Sequence, residues 1–321
     1  MAVTALALLS CDLWRAPENS GLYSVRVADR WGYIDRSGEI VIDPQFDNAR
    51  DFSDGLAAVS FGDRYGYIDN TGNLVIEPSL AEVGDFSDGL AWVKTDSGKY
   101  GYIDKTGKYV VNPQFGYAGT FSEGLAVVRV DGASGYIDKT GEYVITPQFY
   151  YAGSFSEGLA WVSIDGAYGY IDNTGKLIIN PQFERAGSFS EGLAVVRVGG
   201  KYGYIDNTGK YVVNPQFDYA GSFSEGLAVV RAGDESGYID KTGKYVINPQ
   251  SYYYAGSFSE GLAWVFSRGE YGYIDKTGRL VISPQFHDAG DFSGGLARVK
   301  ADSGKIGYIG KTGKYVWAPT N

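Results

Sequence analysis

GLAVVRVGGKYGYIDNTGKYVVNPQFDYA, residues Gly192 to Ala220, decides the reading of this chain, because close copies of it fill the protein from one end to the other. The word Gly-Tyr-Ile begins at Gly32, Gly66, Gly101, Gly135, Gly169, Gly203, Gly237, Gly272 and Gly307. A second word, Gly-Leu, keeps step with it from Gly21 through Gly192 to Gly295. Spacings of 34 or 35 residues make nine units, and such a period marks a repeat architecture in which each unit leans on its neighbours. The longer periods come from insertions in loops, at Thr95-Asp96-Ser97-Gly98, at Ala301-Asp302-Ser303-Gly304 and at Ser251.

One unit predicts three strands. Ala194 to Val198 is β-branched, Tyr202 to Asp206 follows a Gly199-Gly200 hairpin signal, and Lys210 to Val213 stops at Asn214-Pro215. Between the second and third strands, Asp206-Asn207-Thr208-Gly209 is a turn in which Asp accepts backbone N–H groups two or three residues on and Gly supplies the left-handed conformation. The same chemistry recurs at Asp35, Asp69, Asp104, Asp138, Asp172, Asp240 and Asp275, where it accounts for the carboxylates as turn caps. The connector that follows carries Phe217 and Phe223, expected to tuck under the sheet.

Composition agrees with a β-rich ordered protein: 44% hydrophobic, 15% aromatic, 46 Gly and 27 Tyr in 321 residues. Ordering a 34-residue unit costs about 50 kcal/mol, which needs on the order of 2,000 Å² of apolar burial. A lone three-stranded sheet cannot supply that, so each unit buries a face on the next. The chain thus reads as all-β, residues 1–18 a leader and linker and residues 19–321 a nine-unit repeat domain. An open β-solenoid or superhelical array of three-stranded units is the expected architecture, with a closed β-propeller-like ring as the alternative. Ring closure would take Leu22 to Val27 to complete a last blade formed by Gly307 to Trp317.

The recurring pattern Gly-Leu-Ala-x-Val, then Trp or Tyr before Gly-Tyr-Ile-Asp-x-x-Gly, then Val-Ile-x-Pro-Gln-Phe resembles the bacterial WG repeat, also called KWG, from Ser20 to about Pro319. Only Trp31-Gly32 spells the literal pair; the other units carry Tyr65, Tyr100, Ser134, Tyr168, Tyr202, Ser236, Tyr271 and Ile306 at that place. The resemblance implies a β-repeat of bacterial surface, secreted and signalling proteins and no particular reaction.

A net charge of -10 repels phosphate backbones, so nucleic acid is not an expected partner. The apolar run Ala2 to Leu9 is too short to span a bilayer and matches the core of a secretory signal. Leu8-Leu9-Ser10-Cys11 resembles a lipobox, which makes Cys11 the expected lipid anchor of an extracytoplasmic protein and the anchor its expected membrane link.

In a repeat protein an active site would stand out as a departure from the consensus. The sole His, His287, has no second His or Cys near it in sequence, which argues against zinc clusters and Ser-His or Cys-His catalysis, and neither an enzyme nor a cofactor is expected. Two columns vary informatively: Ala58, Trp92, Val127, Trp161, Val195, Val229, Trp264 and Arg298 after Gly-Leu-Ala, and the pairs after Pro-Gln-Phe, such as Asp47-Asn48, Glu184-Arg185, Asp218-Tyr219 and His287-Asp288. They yield a stripe of aromatic platforms, Trp92, Trp161 and Trp264 with Tyr117, Tyr150, Tyr151, Tyr219, Tyr253 and Tyr254, suited to sugar rings or an extended peptide. The expected function is a non-catalytic scaffold binding glycan or protein at the cell surface. The alternative is a structural protein whose units associate head to tail into a fibre through their exposed strand edges.

Overall fold

The computed structural model describes residues 21–250 and 252–318; Cys11, Ser251 and the 1–18 leader lie outside the described residues. Nine antiparallel sheets follow one another, spanning 23–46, 48–80, 82–115, 117–149, 151–183, 185–217, 219–250, 254–286 and 288–317, here called blades 1 to 9. Among the described residues, blades 2 to 9 have four strands and blade 1 has three. In blade 6 the strands are Arg185–Ala186, Leu193–Val198, Lys201–Asp206 and Tyr211–Phe217, paired in that order.

Two features differ from the sequence reading. The last strand does not stop at Asn214-Pro215 but runs on to Phe217, and a two-residue strand from the connector opens each of blades 2 to 8. The Pro is tolerated because the ladder is bulged there: Tyr202 pairs with Phe217 and Tyr204 with Val213, so three residues oppose Gly203 alone. A Cβ on Gly203 would lie 2.5 Å from Val213 O and 2.6 Å from Pro215 N, and the Gly of the first eight Gly-Tyr-Ile words is likewise a packing requirement of the bulge. The Asp turn forms as expected, with the second bond reaching one residue further. Asp206 Oδ1 accepts Thr208 N at 2.9 Å and Lys210 N at 3.1 Å, and Gly209 sits at φ +85°. The Thr208 hydroxyl, 2.6 Å away, is the main cause that holds the Asp206 carboxyl below the usual range.

Each core lies between two blades. Leu193, Tyr204 and Val213 of blade 6 meet Phe217, Ala220, Phe223, Ala228, Val230 and Ile239 on the way into and across blade 7. The buried Tyr204 hydroxyl donates to Gly221 O at 2.7 Å, and burial raises the phenol above its ordinary range. The same latch runs from Tyr33, Tyr67, Tyr102, Tyr136, Tyr170, Tyr238 and Tyr273 at 2.6 to 2.8 Å. Beside it, Ser190 Oγ donates to Phe223 O at 2.8 Å and the Glu191 carboxylate accepts Gly226 N at 3.1 Å. Glu191 holds φ +54°, a strained conformation for a residue with a side chain, which this bond to the next blade offsets.

The ring is closed, so the open array gives way to the propeller alternative. Blade 9 packs on blade 1 through Tyr23, Val25, Ile34, Leu296 and Tyr308, with Val316 and Trp317 against them. Tyr308 OH donates to Ser24 O at 2.9 Å, the ninth copy of the Tyr latch. Closure does not exchange strands: Tyr23–Val27 pairs with Arg30–Ile34 inside blade 1, and blade 9 completes itself with Tyr315–Trp317. Thirty-four residues suffice for a four-stranded blade because the connector itself supplies the fourth strand. Among the described residues the faces of blades 9 and 1 cover each other.

Candidate functional site

The variable columns fall on two different surfaces. The tryptophans are half-buried in the junctions, beside the buried Tyr latches. Trp92, Trp161 and Trp264 lie over Gly84, Gly153 and Gly256, where an added Cβ would come within 2.2 Å of each indole Nε1. Val195 is likewise half-buried against the Leu193, Tyr204 and Phe217 cluster. The tyrosines, by contrast, are open: Tyr150 is 60% exposed, and Tyr117, Tyr151, Tyr219, Tyr253 and Tyr254 are all above 40%.

A row of cross-strand partners carries Tyr117, Tyr151, Tyr219 and Tyr254 across their blades, and Tyr150 and Tyr253 stand one residue ahead of it. In blade 7 it runs Tyr219, Arg231, Ser236, Gln250, and in blade 4 Tyr117, Arg129, Ser134, Phe149. In most other blades an aromatic residue stands where these two have buried serines. The small serine leaves space across which the preceding Arg reaches the Tyr pair that opens the next blade. The Arg129 guanidinium lies 5.9 Å from the Tyr150 ring and 5.3 Å from Tyr151. Arg231 lies 6.0, 5.8 and 5.5 Å from Tyr219, Tyr253 and Tyr254. All five distances fall in the range where a ring face attracts a cation. Each Tyr pair is edge-to-face at 4.5 Å, and the neighbouring hydroxyl keeps Tyr151 and Tyr253 above the usual phenol range.

Further rings extend each cluster into an arc. Trp92 is 5.6 Å from Tyr100, which is 6.1 Å from Tyr117 and so leads to Arg129. Tyr202 is 6.4 Å from Tyr219, and on the far side of Arg231 the path continues from Tyr254 to Phe266 at 6.2 Å and to Tyr271 at 4.9 Å. Sequence reasoning found the tyrosines and missed Arg129, Arg231 and the bridging rings. The signal was present: the two Ser-for-aromatic departures fall in the two units that end in a Tyr pair.

Other members of the variable column are structural. Asp218 accepts Gly233 N at 2.9 Å and engages Lys201, Asp47 accepts Gly62 N, and Glu184 accepts Gly199 N at 2.7 Å, so each caps the next blade's hairpin. His287 is exposed beside blade 9. Among the described residues no group of three or more His, Cys, Asp or Glu side chains is placed to hold a metal ion.

A family model described as a WG containing repeat matches residues 31–65, 65–99, 100–132, 135–166, 168–202, 202–235, 237–270 and 271–304. No curated protein matches the chain. Among solved structures, a eukaryotic initiation factor is similar at 13% identity, covering 92% of this chain and 94% of its own, with a TM-score of 0.66. The computationally designed Ika8 protein is similar at 15% identity, over 89% of this chain and 98% of its own, with a TM-score of 0.54. At such identities the likeness is one of fold.

Proposed function

The chain belongs to the WG containing repeat family, and from that premise we propose that it is a non-catalytic binding scaffold whose ligand, a glycan or an extended protein segment, lies along the exposed tyrosine and arginine arcs. The observation that carries this reading is the pair of Tyr-Tyr-Arg clusters: six tyrosines are more than 40% exposed, four on one repeated row and Tyr150 and Tyr253 one residue ahead of it, with a guanidinium set in each cluster. Exposed rings that repeat from blade to blade give weak contacts that add along an extended ligand. The residues that recur from unit to unit are spent on latches, turns and bulges.

The test is a titration of the full chain with soluble polysaccharides and extended peptides, followed by intrinsic fluorescence, against Tyr150→Ala/Tyr151→Ala and Tyr253→Ala/Tyr254→Ala. Binding that weakens in both double variants supports the reading; binding indifferent to all four rings overturns it. The proposal places the protein outside the cytoplasm, held through Cys11. Fatty-acid labelling of the cells, lost on Cys11→Ala, tests that placement.

A further inference from the structure

The two Tyr-Tyr-Arg clusters are alike in geometry and differ in charge, and the difference names a ligand. Around Arg231, blade 7 carries Asp218 at its entry and Asp234 and Glu235 in its hairpin. Arg231 helps lower the Asp218 carboxyl, after Lys201 and Gly233, and Asp234 acts on Tyr253, so both carboxylates lie within the field of this cluster. Around Arg129, blade 4 has Gly116 at the entry and Asp131-Gly132-Ala133 in the hairpin, leaving Asp131 as the one carboxylate in the equivalent places. Arg129 is fixed by an Nε bond to Gly132 O at 3.1 Å, which leaves its terminal nitrogens to the Tyr150 and Tyr151 side. The Nε of Arg231, in contrast, is buried without a hydrogen-bond partner among the described residues.

Resting on the aromatic-arc reading, we propose that the Arg129, Tyr150 and Tyr151 cluster is an anion-reading subsite for a carboxylated sugar, a uronic acid residue of an acidic polysaccharide. A planar guanidinium matches a carboxylate with two N–H groups, and the exposed Tyr150 and Tyr151 rings offer a flat surface to the apolar side of a pyranose. A polymer of sugar units also suits a protein that repeats its aromatic row, and the Arg231 cluster, with surplus negative charge three blades on, takes the same polymer where it is uncharged. The overall charge of -10 makes the interaction weak and local rather than steered from a distance.

Calorimetry or fluorescence titration of the full chain with polygalacturonate and with its fully methyl-esterified form, at low salt, tests this. The free acid is expected to bind about tenfold more tightly than the ester, the scale of one charge-assisted hydrogen bond at a half-exposed site. Arg129→Gln removes that preference, Arg129→Lys keeps part of it, and Arg231→Gln leaves it in place. Equal binding of acid and ester overturns the proposal, as does a preference that survives Arg129→Gln. Competition by poly-glutamate as strong as that of polygalacturonate overturns the sugar assignment. If both polymers bind equally and the Tyr150→Ala/Tyr151→Ala variant weakens both, the anion subsite falls and the aromatic arc stands. If neither polymer nor any peptide binds, both fall.

Discussion

The seven junctions from blade 2 through to blade 9 are built from the consensus, and the one between blades 9 and 1 from exceptions to it. An ordinary junction carries a Tyr latch and packed apolar faces, and most add a Ser bond and a strained acid that reaches the next Gly N–H. The seam keeps the Tyr latch, from Tyr308 to Ser24 O, and discards the acid: Gly294 stands where Glu225 or Glu260 would. Tyr23, in a place where the other units have Ala, fills that space, donating its hydroxyl to Ser293 O at 3.0 Å and Gly294 O at 2.9 Å and packing on Tyr308 at 5.4 Å. A Cβ on Gly294 would sit 2.3 Å from that hydroxyl. The comparison teaches that identical copies specify a stack, and that a finite ring needs one interface where the copies stop being identical.

The largest expected effect separates what belongs to a blade from what belongs to a junction. Gly203→Ala in an ordinary blade and Gly32→Ala in the seam blade each push a methyl into backbone, 2.5 Å from Val213 O and 2.4 Å from Ile42 O. Each should cost about 3 kcal/mol or more by denaturant titration, and equally, because the bulge is internal to its sheet. Restoring the consensus acid at the seam comes next. Gly294→Glu should cost about 2 kcal/mol by displacing Tyr23, whereas Glu191→Gly, which loses a latch but relieves a left-handed backbone, should stay within about 1 kcal/mol. The comparison breaks if the two substitutions cost the same.

Smaller still are the hydroxyl deletions. Tyr204→Phe and Tyr308→Phe each leave a buried carbonyl short of a partner and should cost about 1 to 2 kcal/mol, with similar values if the seam latch equals the rest. The smallest effect is one of sign. Asp51, hydrogen-bonded by Ser24 Oγ at 3.0 Å beside the seam, has its carboxyl pushed up by burial, while the turn carboxylates such as Asp206 and Asp240 are held low by Thr hydroxyls. A raised carboxyl disfavours the charged folded state, so the penalty is present above the folded pKa and vanishes below the ordinary aspartate range. Asp51→Asn should therefore gain stability near neutral pH and lose that gain on acidification. Asp206→Asn should do the reverse, its loss visible at neutral pH and fading as pH falls through the lowered folded value.

Repeat number, all-β class, hairpins and Asp turns were legible because each depends on residues close in sequence: Gly209 and Asp206 are three apart, and the hairpin at Gly199 joins adjacent strands. The fourth strand was not, since Tyr219 and Ala220 form only two residues of ladder and their partners lie in the next unit. Closure was legible only as the alternative, and the way it is made was hidden for the same reason. Tyr23 and Gly294 are 271 residues apart, and neither looks meaningful until the other is beside it. At the candidate site, the tyrosines announced themselves as exposed departures, whereas Arg129 and Arg231 occupy a column shared with Lys94, Ser163 and Arg197 and acquire their role only from the missing aromatic opposite, Ser134 or Ser236. Trp92, Trp161 and Trp264 were read as platforms because their size was visible and the Gly residues beneath them, eight residues upstream, were not read as their sockets.

Closure by side chains rather than by a shared strand has a mechanical consequence. The described chain begins and ends on adjacent blades, and Tyr23–Val27 and Tyr315–Trp317 belong to different sheets. A load applied between the two ends of the described chain falls first on Tyr23, Tyr308 and the apolar contact around them, with no backbone ladder among the described residues in its path. Under tension the molecule parts there like the clasp of a bracelet, opening into an arc of intact blades before any single sheet unravels.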